Sequence, residues 1–296
     1  MSPEILLSAA VDGLLIGGMY GAVAVGLSLI FGVLRVINFA HGSMLMIGMF
    51  LVYWLWVLFG LNPYLSAVVA APVLFLLGFC LQNYVISPLF RRERSGVVEP
   101  LSVLLVTVGV GLILDNGALL FFGADTRSIS LPFASETLNL GAVILNWSRV
   151  LAFATSVAMT GALYLLLAKT EMGRAIRAVS QHRDAAALCG LNVYRIFAIT
   201  FGLGAATLGV AASFLMPFYY VQPTVGSVFG IKSFIVVVLG GIGSIPGALL
   251  GGMIIGLIES VGGQFVTATS AAIFSFLVFI VVLLVRPKGL FGKLEA

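Results

Sequence analysis

Charge is what this 296-residue sequence has least of: eleven Asp and Glu with fifteen Lys and Arg, 9% of the chain against 61% hydrophobic residues. Soluble domains carry about 25% charged residues, so a chain this poor in them cannot cover a water-facing surface. A long hydrophilic stretch that would house a soluble domain is also missing. Histidine and cysteine number two each. His41 and His182 have no metal-ligand spacing. Cys80 lies in an apolar run and Cys189 in a polar one, which gives neither a metal nor a redox pattern and argues against a disulfide. No phosphate-binding loop is present, because the one Gly-Lys pair, Gly292-Lys293, is followed by Leu294 and lacks the upstream glycine. Gly241-Ile-Gly243 has Pro246 where a dinucleotide motif needs its third glycine. No grouping of nucleophile, base and orienting residue appears, so the chain does not read as an enzyme. The N-terminus has no basic leader, and its first apolar run reads as a retained span.

What the sequence does have is apolar runs, with a mean hydropathy of +1.18. At about 20 residues per spanning helix there is room for roughly eight spans. The expected architecture is all-α: one polytopic transmembrane helical bundle over residues 1–296, with broken or re-entrant helices. The first span covers about Ile5 to Gly32 and carries Gly13, Gly17 and Gly21 at four-residue spacing, a face that lets another helix approach closely. Arg35, Asn38 and His41 then interrupt the apolar pattern. Further spans are expected at Ser43–Phe59, Tyr64–Phe90, Leu101–Phe122, Val150–Ala168, Ile196–Met216 and Ala271–Val285. Gly123 to Arg149 is polar, carries Glu136, and is too broken to span. Phe229 to about Glu259, interrupted by Gly240-Gly-Ile-Gly-Ser-Ile-Pro-Gly247, is expected to enter and return from one side as two short or re-entrant helices.

The longest polar interruption, Lys169 to Arg195, holds five of the fifteen basic residues. Arg174, Arg177, Gln181 and Asp184 recur at helical spacing, with Met172, Ile176 and Val179 on the other face, so an amphipathic helix is expected, stopped at Gly190. Its arginines suit lipid headgroups and a docking protein equally. Basic residues favour the cytoplasmic side. Placing Arg91–Arg94, Lys169–Arg195 and Arg286–Lys293 there accounts for eleven of the fifteen. The N-terminus is then outside and the C-terminus cytoplasmic. The net charge of +4 sits at membrane edges and does not argue for nucleic acid.

Asp184-Ala185-Ala186-Ala-Leu-Cys-Gly190 has the spacing of the EAA-type loop of bacterial ABC importer permeases, with Asp in place of Glu and without that loop's later Ile-x-Leu-Pro part. Gly26-Leu-Ser-Leu-Ile-Phe-Gly-Val-Leu-Arg-Val-Ile-Asn-Phe-Ala-His-Gly42, Thr170-Glu-Met-Gly-Arg-Ala-Ile-Arg177, Gly240 to Gly247 and Arg286-Pro-Lys-Gly-Leu-Phe-Gly292 follow in order. Together they resemble the branched-chain amino acid ABC permease family of LivH type. The resemblance implies the translocating subunit of an ATP-driven importer in the bacterial inner membrane. It implies a second homologous permease, as a hetero-dimer, two cytoplasmic ATPase subunits that hold ATP and Mg, and a periplasmic or lipid-anchored solute-binding protein. The chain itself is expected to hold no cofactor and no metal. Glu171, Gly173, Arg174, Arg177, Asp184, Ala185, Ala186 and Gly190 become the ATPase-coupling residues, within a cytoplasmic coupling segment 169–195.

Charged and polar groups at membrane depth face protein or water, because lipid is costly for them. Asn38, His41, Asp115, Asn116 and Glu259 are therefore pathway or gate candidates, together with Gly240, Gly241 and Gly243. Asp115 suits a role in the pathway, or a structural one paired with Lys232 or Arg35. Asn38 and His41 suit a helix break, where they satisfy backbone groups, better than direct solute contact. The gate or the seam between two permeases is expected at Gly32–Gly42 and Gly240–Gly247. Rival readings are the same fold moving urea, short amides, other amino acids or simple sugars, an ion-coupled secondary transporter, and an assembly subunit without transport.

Overall fold

In a bilayer each backbone N–H and C=O has to be satisfied within the protein, and a helix does this locally. The computed structural model describes residues 3–92, 100–131, 137–139, 144–286 and 289–292, and these are almost entirely helical. Of the expected features, Glu93 and Arg94 of the basic stop after the third span, Glu136, and Lys288 and Lys293 near the C-terminus lie outside the described residues.

Helix α1 (Pro3–Leu34) and α2 (His41–Phe59) flank the first polar break. The third span, expected over Tyr64–Phe90, is a continuous apolar helix over Ala67–Phe90 with a π-helical turn inside it. It is α3 (Ala67–Cys80), a π-helical turn (Leu81–Ile86) and α4 (Ser87–Arg92), while Asn62 and Ser66 shape the turn that precedes it. Then come α5 (Pro100–Phe122), the two-stranded antiparallel pair β1 (Thr137–Asn139) and β2 (Ile144–Asn146), and α6 (Trp147–Lys169). The polar segment forms α7 (Glu171–Gln181) and α8 (Arg183–Leu188). Helices α9 (Val193–Leu215), α10 (Val225–Gly240), α11 (Ile245–Gly262) and α12 (Ala268–Val285) complete the bundle. Starts are set by side-chain caps: Asn146, Thr170, Asn192, Ser244 and Thr267 each accept from an N–H of the first turn. Among the described residues seven helices are long and apolar enough to cross a membrane, and α10 and α12 are shorter apolar helices. The expected eight spans fall between those two counts.

Helices α1 and α9 form the centre, and four-fifths of the most apolar stretch of each is buried. The glycine face of α1 meets a matching face on α11. A methyl group at Gly17 would sit 2.6 Å from the Gly252 carbonyl oxygen, and one at Gly13 would sit 2.8 Å from that of Gly256. The two backbones touch along this seam, which only small residues permit. On the other side of the core α3 packs on α9, with Gly78 against Ala205 and Gly209 against Ala70.

One end of the bundle gathers Leu34, the α7–α8 segment, the α10–α11 turn and Gly289–Gly292. The chain reverses there at Arg35, the one described non-glycine residue with positive φ, at 57°. Residues Arg35–Ala40 then run back along α1 without helical structure. The His41 ring nitrogen Nε2 meets the Val23 carbonyl at 2.9 Å, about 16 Å up α1 from Leu34. Helix α2 therefore starts deep inside the bundle. Helix α10 starts deep as well, with Gly226 against Gly42 and Phe229 against Tyr20. The α10–α11 pair does enter and return from one side, but its glycine turn reaches the far end of the bundle, where Gly243 packs on Gly32.

Candidate coupling and pathway sites

The polar segment is a two-piece element, and the single helix expected through Asp184 breaks at His182 (φ −142°, ψ 103°). Thr170 caps α7 by accepting from the Gly173 N–H at 3.0 Å. Gly173 sits in the elbow between α6 and α7, so close to the Leu166 and Leu167 carbonyls that a methyl group there would overlap both. Ile176 and Val179 are buried as the periodicity predicts. Met172, expected on the same face, is exposed, and Gly173 takes its place. Arg174, Arg177, Asp184 and Ala185 are exposed, whereas Ala186 is buried. Arg174 reaches Glu171 at 3.3 Å, with both side chains largely in solvent. Gly190 follows α8 with φ 84°, a left-handed turn. The exposed residues are thus mixed: charged groups, and an apolar Leu188 that the periodicity did not single out.

Arg183 ties this element to the bundle. Its guanidinium donates to the Leu34 carbonyl at 2.5 Å and lies over the rings of Phe90 and Phe197. Burial and the neighbouring Arg35 guanidinium push its pKa down, and Asp184 opposes this. One side chain therefore holds α8 against the ends of α1, α4 and α9. Its signal in the sequence was weak: one more arginine in a basic run.

The pathway candidates fall into three places. Around the first break, the Asn38 side-chain oxygen accepts from the Ala40 N–H at 3.1 Å, and His41 is buried against Val23. Asp115 stands beside Ser43 of α2, with its oxygen Oδ1 buried and without a hydrogen-bond partner. It has no ion-pair partner among the described residues, so the expected pairing with Lys232 or Arg35 does not form. Asn116 is exposed and donates back to the Leu112 carbonyl of its own helix at 2.8 Å.

The second place is the α10–α11 turn, where Gly241 (φ 99°) and Gly243 (φ 80°) shape the loop. The C-terminal segment covers this turn: the Leu290 and Phe291 N–H groups donate to the Leu239 and Gly240 carbonyls at 2.9 and 3.2 Å. The third is Glu259. Its Oε2 accepts from Lys232 Nζ at 2.7 Å and from the Tyr20 hydroxyl at 3.0 Å, while Ser275 reaches Oε1 at 3.3 Å. Lys232 donates to Tyr20 as well, at 2.7 Å. Four helices, α1, α10, α11 and α12, meet in this network. Lys232 lies outside the three basic clusters of the sequence. The signal for the pair was there: a lone base and a lone acid on two apolar helices joined by a short turn. At the end opposite the polar segment, Asp12 pairs with Arg149 at 2.6 Å.

Against known proteins, a family model described as branched-chain amino acid transport system, permease component, matches residues 9–285. The high-affinity branched-chain amino acid transport system permease protein BraD of Pseudomonas aeruginosa is 32% identical, over 99% of this chain and 98% of its own length. The permease protein LivH of the same kind of system in Escherichia coli K12 is 32% identical over 100% and 99%. The fructose import permease protein FrcC of Rhizobium meliloti is 29% identical over 52% of this chain and 46% of its own. No solved structure matches the chain.

Proposed function

Because this chain belongs to the family of branched-chain amino acid transport permeases, we propose that it moves branched-chain or other hydrophobic amino acids through the inner membrane as one subunit of an ATP-driven importer. Members of the family are multi-pass transport subunits, not enzymes, and have no cofactor of their own. ATP and Mg belong to separate ATPase subunits. The observation that carries the reading is the α7–α8 element. Its inner face is packed into the bundle through Ile176, Val179 and Ala186, its exposed residues include Arg174, Arg177, Asp184 and Leu188, and Arg183 fastens it to the end of α1.

In this reading residues 169–195 lie in the cytoplasm, in the cleft of an ATPase pair, with the N-terminus outside and the C-terminus inside. ATP-driven closure pushes on α7–α8, and the Gly173 elbow and the Arg183 tie pass that push to α6, α1 and α9. Glu171, Arg174, Arg177 and Asp184 make the polar contacts, Ala185 allows close approach, and Gly190 turns the chain back into the membrane. A solute-binding protein delivers solute at the opposite end, and a second homologous permease completes the channel. The relation to a fructose permease over about half the chain shows that related sequences carry other solutes, so the substrate has to be measured.

The test is reconstitution. This chain, its partner permease, the ATPases and the binding protein encoded beside it are assembled in liposomes and supplied with labelled leucine. Uptake that requires internal ATP supports the reading. Uptake by this chain alone under an ion gradient overturns it in favour of a secondary transporter.

A further inference from the structure

The chain turns back after α1 at Arg35, with φ 57°, a conformation that glycine adopts freely and a larger residue only against its own Cβ. The residues that follow alternate as an extended segment does. Val36, Asn38 and Ala40 are buried, while Arg35, Ile37 and Phe39 make the outward row. That row is basic at the end of the bundle and apolar toward the membrane centre, where Phe39 is 52% exposed. It lies against α5, with Thr107 accepting from the Phe39 N–H at 3.3 Å. The π-helical turn Leu81–Ile86 also touches α5. Exposed on these neighbours are Tyr84 and Val85 of the turn and Leu101 and Leu105 of α5.

A second guanidinium stands at the basic end of the row. Arg183 donates to the Leu34 carbonyl, in the peptide bond that joins Leu34 to Arg35. It faces inward from α8, 6.0 Å from the ring centroid of Phe90 and 5.1 Å from that of Phe197. Arg91 and Arg92 follow Phe90 in the chain. Burial, and then repulsion from Arg35, push the Arg183 pKa down. Among the described residues neither Arg35 nor Arg183 has an acidic partner within ion-pair distance, whereas Arg149, Arg174 and Lys232 each have one. Two neighbouring cations at the rim of a membrane bundle, one of them set between aromatic rings, make a site for an anion held at the membrane boundary.

We propose that Arg35 and Arg183 hold the phosphate of an anionic phospholipid in the leaflet on the α7–α8 side, with an acyl chain along Ile37 and Phe39 between α5 and the π-helical turn. Guanidinium groups meet phosphate oxygens with paired N–H donors. The apolar row that continues from Arg35 into the membrane matches a lipid tail and no soluble anion. A carboxylate from a docked protein fits less well, because Arg183 lies on the inward face of α8 with Ala186, away from the exposed Asp184, Ala185 and Leu188. The bound headgroup offsets the repulsion at the turn and ties the ends of α1, α4 and α8 together from the lipid side. The site does not depend on which solute the chain carries.

The test delipidates the whole complex in mild detergent and titrates it with phosphatidylglycerol or phosphatidylcholine under native mass spectrometry. Arg35→Gly is the main variant, since glycine fits the turn. Wild type is expected to fill a site with phosphatidylglycerol that phosphatidylcholine does not fill. Arg35→Gly, and separately Arg183→Gln, should weaken that binding about fivefold, the effect of one basic side chain at an anionic surface. Arg195→Gln, at another exposed arginine, should not. Equal binding of phosphatidylglycerol by Arg35→Gly and wild type overturns the proposal, as does equal filling by the two lipids. Displacement of the lipid by glycerol 3-phosphate at equal concentration overturns it in favour of a soluble phosphate. Loss of ATPase from Arg35→Gly with lipid binding unchanged assigns the arginines to protein docking instead.

Discussion

Gly190 leaves α8 with φ 84°, a backbone conformation that costs an L residue roughly 1–2 kcal/mol. Gly190→Val is therefore expected to twist the exit of the polar segment, and Asp184→Lys to reverse an exposed charge on the same piece. Both variants should insert in the membrane normally and lose co-purifying ATPase; normal ATPase recovery and uptake would remove the docking role. Arg183 tests a different step. Its contacts run inward, to Leu34, Phe90 and Phe197, so Arg183→Met should keep the ATPase bound while lowering the solute moved per ATP hydrolysed. The partly buried pair Lys232–Glu259 gives the sharpest energetic contrast. Removing one partner leaves a charge without its counter-ion, which costs up to about 3–5 kcal/mol where burial is complete and less here, whereas replacing both with apolar groups is often neutral or stabilising. Lys232→Met should accordingly lower the melting temperature in detergent, and the Lys232→Met, Glu259→Leu double variant should recover most of the loss.

The elements divide into those that composition reveals and those that need the third dimension. The glycine spacing on α1 announced a close helix neighbour, and α11 supplies it with Gly252 and Gly256. Gly17→Leu is expected to force those backbones apart at about 1–3 kcal/mol, read as lower thermal stability and reduced yield of folded protein. The break after α1 was legible from Arg35, Asn38 and His41. The depth at which α2 resumes was not, since hydropathy reports which residues avoid water and not how far the chain climbs before turning. The π-helical turn in the third span was missed although Gln82 and Asn83 interrupt the apolar run there, because side-chain polarity does not report which carbonyl each backbone N–H selects. The strands Thr137–Asn139 and Ile144–Asn146 lie in a stretch that was read only as broken, because three-residue strands carry too short an alternation to register. The split at His182 escaped because the periodicity of charge runs straight through it.

For the whole molecule, family and architecture were readable because an all-apolar chain has few folds open to it, and the ordered motifs narrow those further. The wiring between helices was not readable. Arg183 to Leu34 and Arg149 to Asp12 join residues far apart in sequence, and only the packing chooses among the possible pairs. A prediction at this scale concerns the energy source: transport by the assembled complex should stop on ATP depletion and be indifferent to collapse of the proton gradient, measured in the same vesicles. The seam between α1 and α11 carries one further consequence. Two rods in backbone contact along several turns have no slack for sliding, so they form a keel, and any opening of the subunit has to swing the outlying helices around that fixed line. Spin labels placed along the keel should keep their spacing throughout the cycle, while those between it and α5 change.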